Sequence, residues 1–267
     1  MNERQRIVIK AGTGVLRANG HPSNSVFFNI AAQVARIKNE GHEVIIVSSG
    51  AVDAAKHWLT LLGKDFSALN AGELSSIGTS ELLLRWKNAF LPHSIAIATG
   101  WLTHSVWHHN DQRENLQKSA SKFCALRYIV LVVNENDLLS RSELKNMERG
   151  VGDNDYMARR VACLLNADAI LFLTESGGIW SGNPGNTTAR IYRELDGRHT
   201  FRLGARDGGK SQTGTGGPQS KINQASICSR RGIRAAIAGV HEKEVIVRFA
   251  RGEYVGTTIT NRTVLSQ

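Results

Sequence analysis

Six short apolar runs recur along this chain, at residues 7–9, 44–47, 95–98, 129–133, 169–173 and 235–238. Between them apolar side chains return at helical spacing, as in Val26, Ile30, Val34 and Ile37 ahead of Gly41, then Leu82, Leu83, Trp86 and Phe90. Runs this short, with no polar residue alternating, read as strands buried on both faces. Strands that alternate with helices need crossover connections, which lay helices over both sides of a largely parallel sheet. Further helices are expected over residues 155–165 and 221–229, and a closing hairpin from 245–249 and 254–259. Residues 204–217 hold six glycines and read as a loop.

At 267 residues, 41% hydrophobic and 21% charged, the chain can bury a core and is too apolar for disorder. Its three cysteines, Cys124, Cys163 and Cys228, are odd in number and widely spaced. They suggest neither a disulfide framework nor a zinc site, so a reducing compartment fits. No apolar run approaches the roughly 18 residues that span a bilayer, and a soluble cytoplasmic protein with no membrane partner is expected. The net charge of +10 suits anionic substrates as well as nucleic acid. Arg159 and Arg160, and Arg230, Arg231 and Arg234, cluster without interleaved aromatics, so a nucleic-acid role is not favoured.

Polar clusters stand where the apolar runs end, which is where open α/β sheets bind ligands. Lys10-Ala11-Gly12-Thr13-Gly14 follows the first run, Ser48-Ser49-Gly50 the second and Asn134-Glu135-Asn136-Asp137 the fourth. Gly152-Asp153-Asn154-Asp155 opens a helix, and Gly214-Thr215-Gly216-Gly217 precedes Lys221. Glycine turns let backbone N–H groups approach phosphate oxygens, and two opposed lysines can offset the charge on a transferring phosphoryl group. The carboxylates can hold a substrate ammonium, steer a lysine or bind Mg²⁺. Each cluster alone also reads as a helix cap or a solvated turn. No Walker A loop and no G-x-S-x-G elbow occurs. His104 and His108 have a metal-compatible spacing but lack a following H-E-x-x-H pattern. With Trp101, Trp107 and His109 they read instead as an exposed loop or partner surface.

In this order the clusters resemble those of the amino-acid kinase superfamily and, within it, the glutamate 5-kinase family. The likeness rests on Val8-Ile9-Lys10-Ala11-Gly12-Thr13, Ser48-Ser49-Gly50-Ala51, Val133 to Asp137, Val151 to Asp155, and Gly214-Thr215-Gly216-Gly217 with Lys221. It covers residues 7–257. The resemblance implies a three-layer αβα sandwich with a mainly parallel central sheet, as a single domain over residues 1–267. Its N-terminal part, to residue 165, would bind the amino acid and its C-terminal part, from 166, the nucleotide.

The same resemblance implies Mg²⁺-assisted transfer of the ATP γ-phosphoryl group to the γ-carboxylate of L-glutamate, the first step of proline synthesis, by a homo-oligomer. Carried over by position, Lys10 and Lys221 are the catalytic lysines and Asp155 orients them. Ser49, Asp137 and Asn154 hold the amino acid. The nucleotide is met by Lys10, Gly12, Gly14, Thr174, Glu175, Thr215, Gly216, Gly217, Pro218, Gln219, Ser220 and Lys221. The sequence departs from the family pattern at Gly14, usually Ser, at Glu175, usually Asp, and at Thr79, usually Gln. Many members continue into a domain of RNA-modification type, which is not expected here. Two alternatives share the motifs: a paralogue phosphorylating another carboxylate, and a non-catalytic amino-acid or nucleotide sensor.

Overall fold

The computed structural model describes residues 3–139, 154–203 and 217–261. The strands are β1 (Arg6–Ala11), β2 (Arg17–Ala18), β3 (His21–Pro22), β4 (Glu43–Ser48), β5 (Ala96–Leu102), β6 (Ile129–Glu135), β7 (Ala169–Thr174), β8 (Glu194–Asp196), β9 (Arg234–Gly239) and β10 (Thr257–Thr260). The helices that position the site are α1 (Asn24–Asn39), α2 (Ala51–Leu61), α3 (Ala71–Phe90), α4 (Asn110–Ala125), α5 (Asn154–Leu164), α6 (Pro218–Arg230) and α7 (Val245–Ala250).

Eight strands form one sheet in the order β5-β6-β4-β1-β7-β9-β10-β8, while β2 and β3 make a separate small hairpin. All pairings in the large sheet are parallel except β9 with β10. The central strands are apolar along their length because helices cover both faces. Ile7 and Ile9 of β1 join a core with Phe27, Ile30 and Val34 of α1 and Trp86 of α3. Val8, on the opposite face, joins Met157 and Ala158 of α5 and Ile222 of α6. That is the expected three-layer sandwich. Strands from before residue 165 build one half of the sheet, those after it build the other, and the halves meet where β1 pairs with β7. Parallel pairing sends the carboxyl ends of β6, β4, β1, β7 and β9 to the same rim.

Two expectations need correction. Residues 245–249 are the helix α7, not a strand, so there is no closing hairpin. Val245, Ile246, Val247 and Phe249 are all buried, and a six-residue run that is apolar except at Arg248 is too short to show a helical period that would separate it from a buried strand. The strand β10 lies instead between β9 and β8. The segment read as an exposed loop contains a 3₁₀ turn, His104–Trp107, that buries both of those residues, leaving His108 and His109 exposed. It leads into α4, whose only fully buried residues are Ala120 and Cys124, too few to mark a helix by periodicity. The glycine-rich run at 204–216 lies outside the described residues. Among the described residues, no helix is long and apolar enough to cross a membrane.

Candidate active site

Lys10 lies near the carboxyl end of β1 and shares the sheet face of Val8, so it points toward α5 and α6. Asp155 stands in the first turn of α5 and Lys221 in the first turn of α6. The three meet. Asp155 Oδ1 lies 2.7 Å from Lys10 Nζ, and Oδ2 lies 3.1 Å from Lys221 Nζ. Asp155 is wholly buried, and the lysine side chains keep only 5% and 11% of their surface. Each carboxylate oxygen therefore holds a different ammonium group. Burial would push the Asp155 carboxyl up, but Lys10 and then Lys221 outweigh it and hold the group below the usual carboxylate range.

Neighbouring contacts tie this trio to the N-terminal half of the sheet. Asn154 Nδ2 donates to Ser49 Oγ at 2.6 Å, and the Ser49 N–H donates to Ala11 O at 3.0 Å. Gly50 then takes φ 104°, a left-handed conformation that suits glycine, and turns the chain from β4 into α2. Just beyond β6, Asp137 accepts a 2.6 Å hydrogen bond from Ser75 Oγ on α3. Behind the site, His104 Nε2 lies 3.3 Å from Glu135 Oε1, and its ring stacks on Tyr156, the residue after Asp155.

The phosphate side is built from the turns after β1 and β7 and the start of α6. A Cβ on Gly12 would stand 2.8 Å from Lys10 Nζ, so a side chain there would press on the ammonium that Asp155 holds. A Cβ on Gly14 would stand 2.4 Å from Glu175 Oε1. Two departures from the family pattern thus meet in space: the longer carboxylate of Glu175 fills the volume that a serine at 14 would take. Thr174 closes β7, and its hydroxyl lies 3.2 Å from Ser176 Oγ. Among the described residues nothing lies within 4 Å of a Cβ placed on Gly217, at the start of α6, where first-turn amides favour an anion. Pro218 begins that helix without an N–H to satisfy. The Gln219 amide is engaged by Leu203 N–H, Phe201 O and Asn223 Oδ1. Ser220 follows it in the same first turn. Thr215 and Gly216 lie outside the described residues.

Sequence reasoning missed Ser75 and the His104–Glu135 contact. A serine in an amphipathic helix gives no signal of the loop carboxylate it meets. Thr79 offers no such contact, since its hydroxyl donates back to Ser75 O at 2.8 Å within α3.

The sequence description of the amino acid kinase family matches residues 5–239. This chain belongs to the amino acid kinase family. Within it, the chain is similar to the glutamate 5-kinase of Sodalis glossinidius, 33% identical over 261 residues that make up 96% of this chain and 69% of the relative. The glutamate 5-kinase of Listeria monocytogenes serotype 4a is 31% identical over 265 residues, 98% of this chain and 95% of the relative. Among solved structures, the UMP kinase of Bacillus anthracis covers 98% of both chains with a TM-score of 0.63 at 20% identity. The UMP kinase of Ureaplasma parvum gives 0.59 at 16% identity. These two share the fold of this amino acid kinase family member.

Among the described residues, no group of three or more His, Cys, Asp or Glu side chains is placed to hold a metal ion. Asp155 is also engaged by two lysines. A metal cage made by these residues alone therefore does not fit this amino acid kinase site.

Proposed function

We propose that this protein uses ATP to phosphorylate the γ-carboxylate of L-glutamate, yielding γ-glutamyl phosphate for proline synthesis in the cytoplasm. The observation that carries the chemistry is Asp155 held between Lys10 and Lys221 at the junction of the two sheet halves. The acceptor is supported by the glutamate 5-kinases at 33% and 31% identity.

A carboxylate acceptor is already ionised and nucleophilic, so the site needs positioning and charge rather than a general base. The β5-β6-β4-β1 half would hold the amino acid. Asp137 would take its ammonium group, and the Ser49–Asn154 pair would fix its orientation beside Asp155. The β7-β9-β10-β8 half would hold the nucleotide, with Thr174, Glu175 and the start of α6 around its phosphates. The turn of Gly12 and Gly14, with Thr215 and Gly216, would complete that cradle. Two ammonium groups around one carboxylate leave one positive charge in excess, inside a nearly dry site where it acts strongly on the transferring phosphoryl oxygens. Asp155 keeps both lysines in place before the substrates arrive. Mg²⁺, which binds phosphate oxygens readily, would come with the nucleotide and lower its charge. The apolar side chains left exposed on α1, α2 and α3 and just after α2, among them Phe28, Trp58, Leu61, Leu62 and Leu84, fit a homo-oligomer. The intact trio gives no ground for a non-catalytic sensor.

Acceptor choice is tested by ADP release from ATP and Mg²⁺ with L-glutamate, D-glutamate, L-aspartate, N-acetyl-L-glutamate or UMP. L-glutamate should exceed every other acceptor by at least about tenfold in kcat/KM. Equal or better use of UMP or of another acid would overturn the assignment.

A further inference from the structure

At the amino end of the sheet, away from the catalytic rim, a cavity of about 640 Å³ is lined by Arg4, Arg127, Arg251, Glu40, Glu43 and Cys124. Residues before β1, β4 and β6 meet there with the residue after α7. Lys38, near the end of α1, is fully buried, and its Nζ has no hydrogen-bond partner among the described residues. Burial lowers the Lys38 pKa, and the titratable groups that act on it are Cys124, Glu43 and Arg4, all on the cavity wall. Lys38 is not itself among the lining residues; it lies behind the wall, close enough to act on Cys124, Glu43 and Arg4.

The local countercharge is already committed. Glu43 pairs with Arg4 and, at 2.6 Å, with Arg6. Glu40 pairs with Arg251 at 2.7 Å and with Arg36 at 3.7 Å. Each carboxylate is thus shared by two arginines. Cys124 supplies no charge at neutral pH, because burial pushes its thiol up to about 11. Arg127 makes no hydrogen bond or ion pair among the described residues. It lies over the entry to β4, with Nη2 4.0 Å from a Cβ placed on Gly41.

We propose that this cavity binds a small, multiply charged oxyanion at a site separate from the catalytic rim. The volume suits a metabolite-sized ligand. Guanidinium forks donate to phosphate and carboxylate oxygens alike, and such an anion would meet Arg127 directly and bring negative charge to the wall in front of Lys38. The inference rests on the cavity alone and not on the phosphoryl-transfer reading.

The test is calorimetric titration of pyrophosphate, and separately of citrate, into protein already saturated with a non-hydrolysable ATP analogue and L-glutamate. One equivalent of pyrophosphate or citrate should bind, the preferred probe telling phosphate from carboxylate recognition. Arg127→Ala should weaken that binding by about tenfold or more, and Lys38→Met, acting through the wall, by less. Arg127 is exposed, so its variant keeps the test decisive if Lys38→Met folds poorly. Affinity for the ATP analogue should be unchanged in Arg127→Ala. Absence of binding by both probes, or equal binding in wild type and Arg127→Ala, would overturn the proposal.

Discussion

Asp155→Asn keeps the shape of the residue that joins Lys10 to Lys221 and removes its charge. The wild-type carboxylate accepts contacts of 2.7 Å and 3.1 Å with none of its surface exposed. The amide would keep one acceptor oxygen and turn an NH₂ donor toward the other ammonium group. A hydrogen bond to a charged partner contributes about 1.5–3 kcal/mol, and one of the two is lost outright. The two lysines then stand without countercharge, and breaking a buried ion pair from one side costs about 3–5 kcal/mol. Denaturant unfolding should register a loss of that size. Turnover should fall by about 10²–10³, because the charges that meet the phosphoryl group are no longer held in place. Nucleotide affinity should stay near wild type, since the phosphates themselves can answer both ammonium groups. The acid limb of stability should change too. The Asp155 carboxyl is held below its unfolded value of about 3.9, so its contribution is present above that pH and lost as pH falls through the lower folded value. The variant should lack that loss. Near-normal turnover together with wild-type stability would refute the reasoning.

Gly14→Ser alone should lower kcat/KM for ATP, because the new Cβ would stand 2.4 Å from Glu175 Oε1. Adding Glu175→Asp should restore it, and simple additivity in the double-mutant cycle would show that the two positions are not coupled. Ser75→Ala should raise KM for L-glutamate about fivefold with little change in kcat, the effect of losing about 1 kcal/mol from the bond that orients Asp137. An unchanged KM would remove Ser75 from the account. Cys163 should be alkylated by iodoacetamide at pH 7 well before Cys124. A hydrogen bond with Cys228 lowers the Cys163 thiol to about 6, and burial pushes Cys124 up to about 11. Mass spectrometry of digested peptides would detect the reverse order.

The parts of the fold that were legible are those with a local signature. The runs within β1, β4, β6, β7 and β9 announce themselves because a parallel strand buried on both faces must be apolar throughout. Lys10, Asp155 and Lys221 were legible as polar residues at element ends, and the sheet topology brings their distant sequence positions together. What escaped was decided by tertiary contact. The helix α7 is apolar except at Arg248 and too short to show a period, and α4 buries too little to show one. Ser75 matters only because α3 passes beside Asp137. Gly14 and Glu175 read as separate departures until the pairing of β1 with β7 set them side by side. The cavity over Lys38 gathers residues from before β1 to beyond α7, a juxtaposition with no linear trace.

The most direct test of the central claim is capture of the product with hydroxylamine. Protein, ATP, Mg²⁺ and L-glutamate would be incubated with hydroxylamine, and hydroxamate and ADP measured together. The account predicts γ-glutamyl hydroxamate in step with ADP for the wild type, and at least about a hundredfold less in Lys10→Ala and in Lys221→Ala. ADP formed without hydroxamate, or hydroxamate undiminished in either lysine variant, would contradict it.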